Sequence, residues 1–343
     1  MTIDSTSSTP TPNVVLITGA GGWLGGLLAG AILADERTPN ARLILADIVE
    51  PRAPAAASPK NAITLKADLC DPAAIDALFA TPFGAPDTVY CLHGIMSRGS
   101  EDEFDLGLRV NVDSVRSLLD RARQVQPAPK FIFTSSLAVY GGPLPDVVNS
   151  STIATPEGAY GTGKLVAELL VNEYTRRGFV DGRILRLPTI VVRPGAPSAA
   201  TSSFLSGIIR EPLQGKQAIC PVGNALDSPE LSLAAWVASP ETTIRNFVIA
   251  KHVPASAFLP HTRAVYLPGF TVTVREELEA LAEVAGPDAL KLVEFKDDPT
   301  NRRIVSSWPA RFDNAYPLGL GFVADAGGMV PIVRRFQAAL GAQ

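Results

Sequence analysis

The chain has 343 residues, of which 46% are hydrophobic and 19% are charged, so it can bury a sizeable core and form one large domain or a main domain with a smaller one. Its 30 basic and 34 acidic residues leave a net charge of −4 without a basic block, which argues against nucleic-acid binding. No stretch approaches the roughly 20 apolar residues that a membrane span needs, so we expect no membrane insertion.

Cysteine and histidine usage argues against disulfide and metal sites. Cys70, Cys91 and Cys220 lie far apart and form no CxxC pair, and the histidines lack the spacing of metal ligands. Residues 1–12 are polar and lack the charged start and apolar centre of a secretory signal. We therefore expect a disordered tail over residues 1–12, no metal, and a location in the reducing cytoplasm.

Short apolar runs alternate with helical patterns through the first half of the chain. The predicted strands are Asn13–Thr18, Arg42–Asp47, residues 63–68, residues 87–94, Lys130–Ser136 and Gly182–Val192. The predicted helices between them are Gly25–Leu33, Pro72–Phe79, Phe104–Gln124 and Gly161–Arg177. This alternation predicts an α/β fold with a Rossmann-type, doubly wound parallel sheet.

The character of the chain changes after Arg193. A loop rich in Pro, Ala and Ser leads to a predicted helix over 204–213 that ends at Pro212, then to a strand-like run over 264–274 with a Pro-Gly break. A short amphipathic helix stops at Gly286. We expect residues 13–193 to form a cofactor-binding domain with the catalytic residues, and residues 194–343 to form mainly a smaller substrate-binding lobe, with some elements returning to the main sheet.

Three glycines between the first strand and the first helix have GxxGxxG spacing. Gly19 allows a sharp turn, Gly22 allows a phosphate to approach the backbone, and Gly25 allows the helix to pack closely on the strand. A pyrophosphate would lie at the helix N-terminus, where free N–H groups and the helix dipole favour an anion. The strand–turn–helix context makes a dinucleotide the expected cofactor.

Two aspartates follow the next strands. Asp47 ends the second strand, where a carboxylate accepts hydrogen bonds from both adenosine ribose hydroxyls and repels a 2′-phosphate. The nearest arginine after it is Arg52, so the sequence favours NAD over NADP. Asp68 ends the third predicted strand, and it either contacts the adenine amine or caps the helix that starts near Pro72.

The catalytic candidates are Tyr160, Lys164, Ser136 and Asn111. Tyr160 and Lys164 form a YxxxK pair on one helical face, where the ammonium stabilises a phenolate whose unperturbed pKa is near 10. Lys164 can also hold the nicotinamide ribose. Ser136 closes the fifth strand and can bond the reacting substrate oxygen, and Asn111 can orient a proton-relay water near Lys164. This ordered set predicts hydride transfer with Tyr160 as the acid/base.

These residues give the chain a resemblance to the extended short-chain dehydrogenases/reductases, which include NAD-dependent sugar-nucleotide epimerases and dehydratases. The matching segments are TGAGGWLG, TSSLAVYGG, YGTGK and RLPTIVVRPG. The segments EDEFDLGLRVNVDS, GGPLPDVV and SSWPARFDNAYPLGLGF further resemble the D-erythronate dehydrogenase family. That resemblance implies NAD-dependent oxidation of C2 of a four-carbon sugar acid to the 2-oxo acid.

The resemblance also implies roles for further residues. It suggests that Leu187, Pro188 and Thr189 contact the nicotinamide, and that Ser97 lies near the ribose or the substrate. A sugar-acid carboxylate calls for an arginine fork, for which Arg193 and Arg210 are the candidates, and either can instead be a structural ion pair. The remaining assignments are cofactor contacts at Trp23, Leu24 and Leu69 and a substrate contact at Ser203.

Two segments depart from the family where they bear on the substrate. These are LHGIMSRGS, after the fourth strand, and GNALDSPELSLAAWVASP. Met96 and Phe204 suggest a pocket that is less polar than a tetronate needs, and His93 either faces the pyrophosphate or packs at the strand end.

Three alternatives therefore stay open: a ketoreductase for a larger apolar substrate, an NDP-sugar epimerase or dehydratase, and a non-catalytic dinucleotide sensor. Fold analogy adds the expectation of a homodimer that pairs through the helices carrying Asn111 and Tyr160.

Overall fold

The computed structural model describes residues 13–195 and 200–341, so the predicted tail over residues 1–12 lies outside the described residues. The strands formed by the described residues are β1 (Val14–Thr18), β2 (Arg42–Asp47), β3 (Ala62–Lys66), β4 (Thr88–Cys91), β5 (Lys130–Ser136), β6 (Asp181–Leu187), β7 (Thr189–Ile190), β8 (Ala218–Cys220), β9 (Ala234–Ala238), β10 (Ala264–Tyr266), β11 (Phe270–Thr273) and β12 (Val293–Phe295).

The described α-helices are α1 (Trp23–Leu33), α2 (Pro72–Leu78), α3 (Ser97–Asp102), α4 (Phe104–Leu108), α5 (Ser114–Ala122), α6 (Ala159–Arg176), α7 (Ser203–Leu213), α8 (Pro240–His252), α9 (Val274–Ala285), α10 (Pro299–Ser306), α11 (Ala315–Gly319) and α12 (Met329–Gly341). None of them combines the length and the apolar character that a bilayer crossing requires.

A parallel sheet of seven strands forms the centre of the molecule. Its order is β10-β6-β5-β4-β1-β2-β3, and every neighbouring pair is parallel. Helices α2, α5 and α6 pack on one face of the sheet, and α1 and α8 pack on the other. The middle strands β1 and β4 are buried along their whole length, as expected for a parallel sheet that is covered on both faces. The predicted doubly wound α/β class is confirmed.

A second layer of structure lies at the carboxyl end of the main sheet. It contains a three-stranded sheet in the order β11-β9-β7 and a two-stranded sheet of β12 and β8. Helices α7, α9 and α12 share a separate apolar core there, built from side chains such as Ile208, Leu281 and Val333. We call this second unit the lobe.

The predicted strand Gly182–Val192 is wrong as a single strand. It consists of β6, in the main sheet, and β7, which pairs with β9 in the lobe. Pro188 separates them because proline has no N–H to continue the ladder. The chain therefore crosses from the main sheet to the lobe at Leu187–Thr189.

The predicted helix Phe104–Gln124 is also interrupted. It consists of α4, a π-helical segment Arg109–Asp113, and α5. Asn111 lies in the π-helical segment, a type of distortion that is frequent at functional sites.

Two elements of the second half belong to the main sheet. Strand β10 pairs with β6 at the sheet edge, and α8 contributes Phe247 to the core beneath it. The break at Leu267–Gly269 separates β10 from β11, and β11 belongs to the lobe.

Candidate active site

The turn between β1 and α1 requires glycine at two of its positions. Gly19 has a φ of +71°, and a Cβ there would lie 2.7 Å from the backbone nitrogen of His93. A Cβ on Gly25 would lie 2.6 Å from the Cα of Ala20. At Gly22, by contrast, the nearest atom to a Cβ would be the carbonyl oxygen of Gly19, at 3.4 Å. The turn therefore has no room for a side chain at Gly19 and Gly25, whereas the space next to Gly22 is less crowded.

The open side of this turn fits the pyrophosphate of a dinucleotide. Gly22 is the N-cap of α1 and no side chain caps this helix, so the first N–H groups of the helix, at Trp23 and Leu24, face a potential anion. Asp47 lies beside the turn, where its Oδ2 accepts a hydrogen bond from the Gly21 N–H at 2.9 Å. Its Oδ1 accepts one from the Ile48 N–H at 2.7 Å. This carboxylate is held in place at the end of β2, as an adenosine ribose requires.

Asp68 does not cap helix α2. That helix is capped by Asp71, whose side chain accepts a hydrogen bond from the Ala73 N–H at 2.9 Å. Asp68 is exposed beyond the end of β3 and accepts one from the Cys70 N–H at 2.9 Å. The capping interpretation was wrong because the cap position lies three residues further on, and a contact with adenine stays a prediction. The side chain of Leu69 is buried in the core under the main sheet, so only its backbone is available to a cofactor.

Tyr160 lies in the first turn of α6, and its side chain lines a cavity at the carboxyl end of the main sheet. Burial raises the pKa of Tyr160 to about 12. The hydroxyl of Ser136 and the positive charge of Arg193 act in the opposite direction, because both stabilise the phenolate. In the absence of a cofactor the tyrosine is therefore protonated at neutral pH.

Lys164 lies one turn further along the same face of α6 and is 3% exposed. Its Nζ donates a hydrogen bond to the carbonyl oxygen of Thr134 at 2.9 Å and lies 4.9 Å from the centre of the Phe133 ring. Burial lowers its pKa to about 8, while Cys91 and Glu168 act to raise it. The ammonium therefore loses its proton at a lower pH than an exposed lysine does.

Asn111 organises the segment that follows β4. Its Oδ1 accepts a hydrogen bond from the Ile95 N–H at 3.0 Å, and its Nδ2 donates to the Ile95 carbonyl at 3.0 Å and to the Ser100 hydroxyl at 3.1 Å. A Cβ on Gly94 would lie 2.9 Å from the Asn111 Oδ1 and 3.3 Å from the Lys164 Nζ. Asn111 and Lys164 therefore meet at Gly94, and the proton-relay role of Asn111 stays a prediction.

His93 packs at the end of β4. Its Nδ1 lies 2.8 Å from the Thr18 hydroxyl, and its Nε2 lies 2.8 Å from the Ser114 hydroxyl. Burial and the charge of Lys164 lower its pKa to about 3, so the ring is neutral. Both ring nitrogens are occupied by protein hydroxyls, which favours the packed interpretation over a contact with the pyrophosphate.

The cavity has a volume of about 290 Å³ and brings together most of the predicted site residues. Those that line it are Gly19, Gly22, Trp23, Leu24, Ser97, Ser136, Tyr160, Lys164, Leu187, Pro188, Thr189 and Arg193. The guanidinium of Arg193 is held by the Ile190 carbonyl at 3.1 Å from Nε and by the Ser202 hydroxyl at 3.3 Å from Nη2. Arg193 lines the same cavity as Tyr160, and its positive charge lowers the pKa of the tyrosine.

Two predicted substrate contacts lie away from the cavity lining. Arg210 is 3% exposed, donates to the Arg193 carbonyl at 3.0 Å, and pairs with Glu211 at 2.5 Å. Arg210 therefore forms a structural ion pair with Glu211 and supports the backbone of Arg193. Ser203 begins α7, and it is the neighbouring Ser202 that reaches the cavity. Phe204 packs in the core of the lobe, whereas Met96 does line the cavity.

The lobe contributes an apolar wall, of which only the segment carrying Trp236 was expected to bear on the substrate. The wall consists of Trp236, from β9, and Val305, Trp308 and Pro309, from α10 and the residues after it. Trp236 rests on Phe312, with 5.2 Å between the ring centres. The segment SSWP, residues 306–309, stands out in the sequence only through its resemblance to the family, and no spacing rule connects it with Tyr160.

No three His, Cys, Asp or Glu side chains converge into a possible metal site within residues 13–195 and 200–341.

Residues 15–231 match the family model described as the NAD dependent epimerase/dehydratase family. D-erythronate dehydrogenase from Haemophilus influenzae is 42% identical over 312 residues, which cover 91% of this chain and 95% of that protein. D-erythronate dehydrogenase from Cupriavidus necator is 43% identical over 319 residues, which cover 91% and 94%.

Solved structures share the fold over almost the whole chain. The nucleoside-diphosphate-sugar epimerase from Agrobacterium tumefaciens has a TM-score of 0.87 at 34% identity, covering 97% of this chain and 96% of that one. L-threonine 3-dehydrogenase from Trypanosoma brucei has a TM-score of 0.80 at 25% identity, covering 96% and 97%.

Proposed function

We propose, since the chain belongs to the NAD dependent epimerase/dehydratase family, that it is an NAD-dependent dehydrogenase that oxidises C2 of a small sugar acid such as D-erythronate. The similarity to two D-erythronate dehydrogenases, at 42% and 43% identity over 91% of the chain, supports this substrate class. The observation that carries the proposal is the joint placement of Tyr160, Ser136 and Arg193 in one cavity beside the glycine turn.

The residues of the chain divide the chemistry among them. NAD, when bound, supplies the hydride acceptor at nicotinamide C4. Tyr160, as the phenolate, takes the proton from the substrate hydroxyl, and Ser136 donates a hydrogen bond to the same oxygen. The ammonium of Lys164 stabilises the phenolate and holds the ribose, while Leu187–Thr189 line the nicotinamide side of the cavity.

Arg193 supplies the charge that a sugar-acid carboxylate requires. Lys164 and Arg193 are the only lysine or arginine residues of the described chain that line the cavity. Lys164 is engaged with Thr134 and Tyr160, which leaves Arg193 for the substrate. One guanidinium matches one carboxylate. A nucleotide sugar carries a diphosphate and a base, for which this lining offers no second free cation, so we favour the sugar acid over an NDP-sugar epimerase or dehydratase.

The apolar wall favours one alternative, a ketoreductase for a larger substrate. Trp236, Val305 and Trp308 present more apolar surface than a four-carbon tetronate needs. The same Tyr160 would then donate its proton to the carbonyl oxygen in the direction of reduction.

We also propose a cytoplasmic homodimer with a division of labour between two regions. Phe104 on α4 and Val166 and Leu169 on α6 are apolar and exposed, and α6 carries the catalytic pair, as expected for dimer helices of this fold. Three cysteines without a disulfide suit the cytoplasm. Residues 13–193 supply the cofactor site and catalytic groups, and residues 194–341 supply most of the substrate wall.

The test is NADH formation at 340 nm with purified protein, NAD, and a panel of D-erythronate, L-threonate and related 2-hydroxy acids. We expect turnover on D-erythronate, and a loss of at least about 100-fold in Tyr160→Phe, because the general acid/base is removed. Tyr174→Phe, on the same helix but bonded to Asp120, is the matched control and retains activity. NAD binding without turnover on any sugar acid, together with NADH-dependent reduction of larger ketones, would instead establish the ketoreductase.

A further inference from the structure

The end of β5 is fastened to α6 by consecutive residues. The Thr134 carbonyl accepts a hydrogen bond from Lys164 Nζ at 2.9 Å, and the Ser135 hydroxyl donates one to Glu168 Oε1 at 2.5 Å. Tyr160, Lys164 and Glu168 follow one another at four-residue intervals, so they share one face of the helix. Glu168 thus places a carboxylate one helical turn beyond Lys164, on the face of α6 that carries Tyr160 and Lys164.

Glu168 is buried and fully bonded. It is 2% exposed, and both of its oxygens accept hydrogen bonds from Arg186 on β6, at 2.9 Å from Nε and 2.6 Å from Nη2. Arg186 in turn donates from Nη1 to the Tyr140 hydroxyl at 2.6 Å. A bidentate pair of this kind is rigid as well as strong, so Glu168 fixes β5, β6 and α6 relative to one another.

Few charged groups act on the Lys164 ammonium. Tyr160 lies on its own helix, and Cys91 and His93 face it from β4 and the end of that strand. Cys91 is a neutral thiol because burial raises its pKa to about 12, and His93 is neutral because burial lowers its pKa to about 3. Among the described residues, the carboxylate of Glu168, which is paired with Arg186, opposes the effect of burial on the lysine.

We propose that Glu168 is a positioning residue for the reaction, which locks the end of β5 onto α6 and keeps Lys164 in its cationic form. The catalytic consequence rests on the proposed function, because it matters only if Tyr160 and Lys164 act in hydride transfer. The effect on the protonation of Lys164 does not depend on any substrate.

The first experiment measures the titration of Lys164 directly, by NMR of protein containing lysine labelled with ¹³C at Cε. The Lys164 signal is assigned as the one that disappears in Lys164→Arg. We expect a midpoint near 8 in the native chain. In Glu168→Gln, which is isosteric and uncharged, we expect the midpoint to fall by about one pH unit, and in Glu168→Asp, which keeps the charge, to stay within a few tenths of the native value.

Two further variants keep this test decisive. Glu173→Gln removes an exposed carboxylate from the same helix and should leave the Lys164 midpoint unchanged. Because Glu168→Gln leaves Arg186 buried without its partner and can destabilise the fold, Glu168→Gln/Arg186→Met serves as the neutral background, and its midpoint should also lie below the native one. A native midpoint in Glu168→Gln or in Glu168→Gln/Arg186→Met overturns the proposal.

The second experiment follows the pH dependence of turnover. This experiment requires that the wild-type activity depends on Tyr160. Glu168→Gln should then shift the alkaline limb of the kcat profile to lower pH, by as much as the Lys164 midpoint falls in the NMR titration. KM should change little. A lower kcat with an unshifted limb would mean that Glu168 is only structural. Absence of any Tyr160-dependent activity in the wild type would refute the proposed function, while the NMR titration would still decide the role of Glu168.

Discussion

Arg193 is the residue on which the proposed choice of substrate depends most directly. Its backbone is supported by Arg210, and its guanidinium, in the lining of the cavity, is held by Ile190 and Ser202. These contacts leave the guanidinium partly bonded and partly available. In the proposed reaction, a carboxylate bound there would place C2 close to Tyr160, the proposed acid/base.

We predict that Arg193→Met raises KM for D-erythronate by about 10-fold to 100-fold, because a charge-assisted hydrogen bond to the carboxylate is lost. The measurement is steady-state kinetics on the acid and on its neutral amide. The variant should discriminate less between the two than the native enzyme does. An equal loss on both substrates would mean that Arg193 acts through Tyr160 rather than on the carboxylate.

Helix α9 carries a second buried carboxyl group, Glu277, which differs from Glu168 in having no bonded partner among the described residues. The helix begins with a capping box between Thr273 and Glu276 and packs against α7 and α12 in the core of the lobe. Glu277 follows on its inner face, is 0% exposed, and has no hydrogen-bond partner for either oxygen among the described residues. Burial raises its pKa well above the usual value, so the folded protein keeps a proton there that the unfolded chain releases.

The stability of the lobe should therefore depend on pH in a defined direction. Since the folded pKa is raised, the contribution of Glu277 to stability is fully present below its unfolded pKa, near 4.5, and is lost as the pH rises above it. We predict that Glu277→Gln, which does not titrate, gains stability relative to the native chain by about 1–3 kcal/mol on going from pH 5 to pH 8. Thermal unfolding of both proteins at the two pH values measures this, and an equal difference in Tm at both would contradict it.

The elements of the main sheet could be predicted to different degrees. Strands β1, β2 and β5 were predicted to within a residue, because buried parallel strands are short apolar runs bounded by turn residues. The division of Gly182–Val192 at Pro188 was missed although proline marked it, since the apolar run continues on both sides. The π-helical segment at Asn111 was not predicted, because the helical periodicity of the sequence continues through it without a Gly or Pro break.

The same contrast holds for the site at the scale of the whole molecule. The glycines and Asp47 could be predicted from the strand-turn-helix pattern and the strand that follows it. Tyr160 and Lys164 could be predicted from their spacing on one helix, and Ser136 from its place at the end of β5. Trp236, Val305 and Trp308 reach the cavity only through the folding of the lobe over the main sheet, and Arg210 and Ser203 are removed from it by the turn of one helix. The residues that could be predicted are positioned by local sequence, whereas the position of the others depends on contacts between distant parts of the chain.

Assembly is also a property of the whole molecule. We predict that the native chain elutes with twice its monomer mass in size-exclusion chromatography with light scattering. Leu169→Glu should shift it to the monomer, because Leu169 is 62% exposed on α6 and a charge there opposes burial between two copies. Leu318→Glu, at an exposed leucine on α11, is the control and should remain dimeric. A monomeric native chain would refute the proposed dimer.

The chain crosses between the main sheet and the lobe more than once, and this limits which segments can be recombined between members of the family. Strand β7 leaves the first half for the lobe, and β10 and α8 return from the second half to the main sheet. A recombinant that took residues 194–343 from another family member would inherit a foreign edge strand and a foreign helix under the cofactor half. Chimeras that keep residues 240–267 from the recipient preserve those contacts, and selection for new substrates should favour crossovers on either side of that segment.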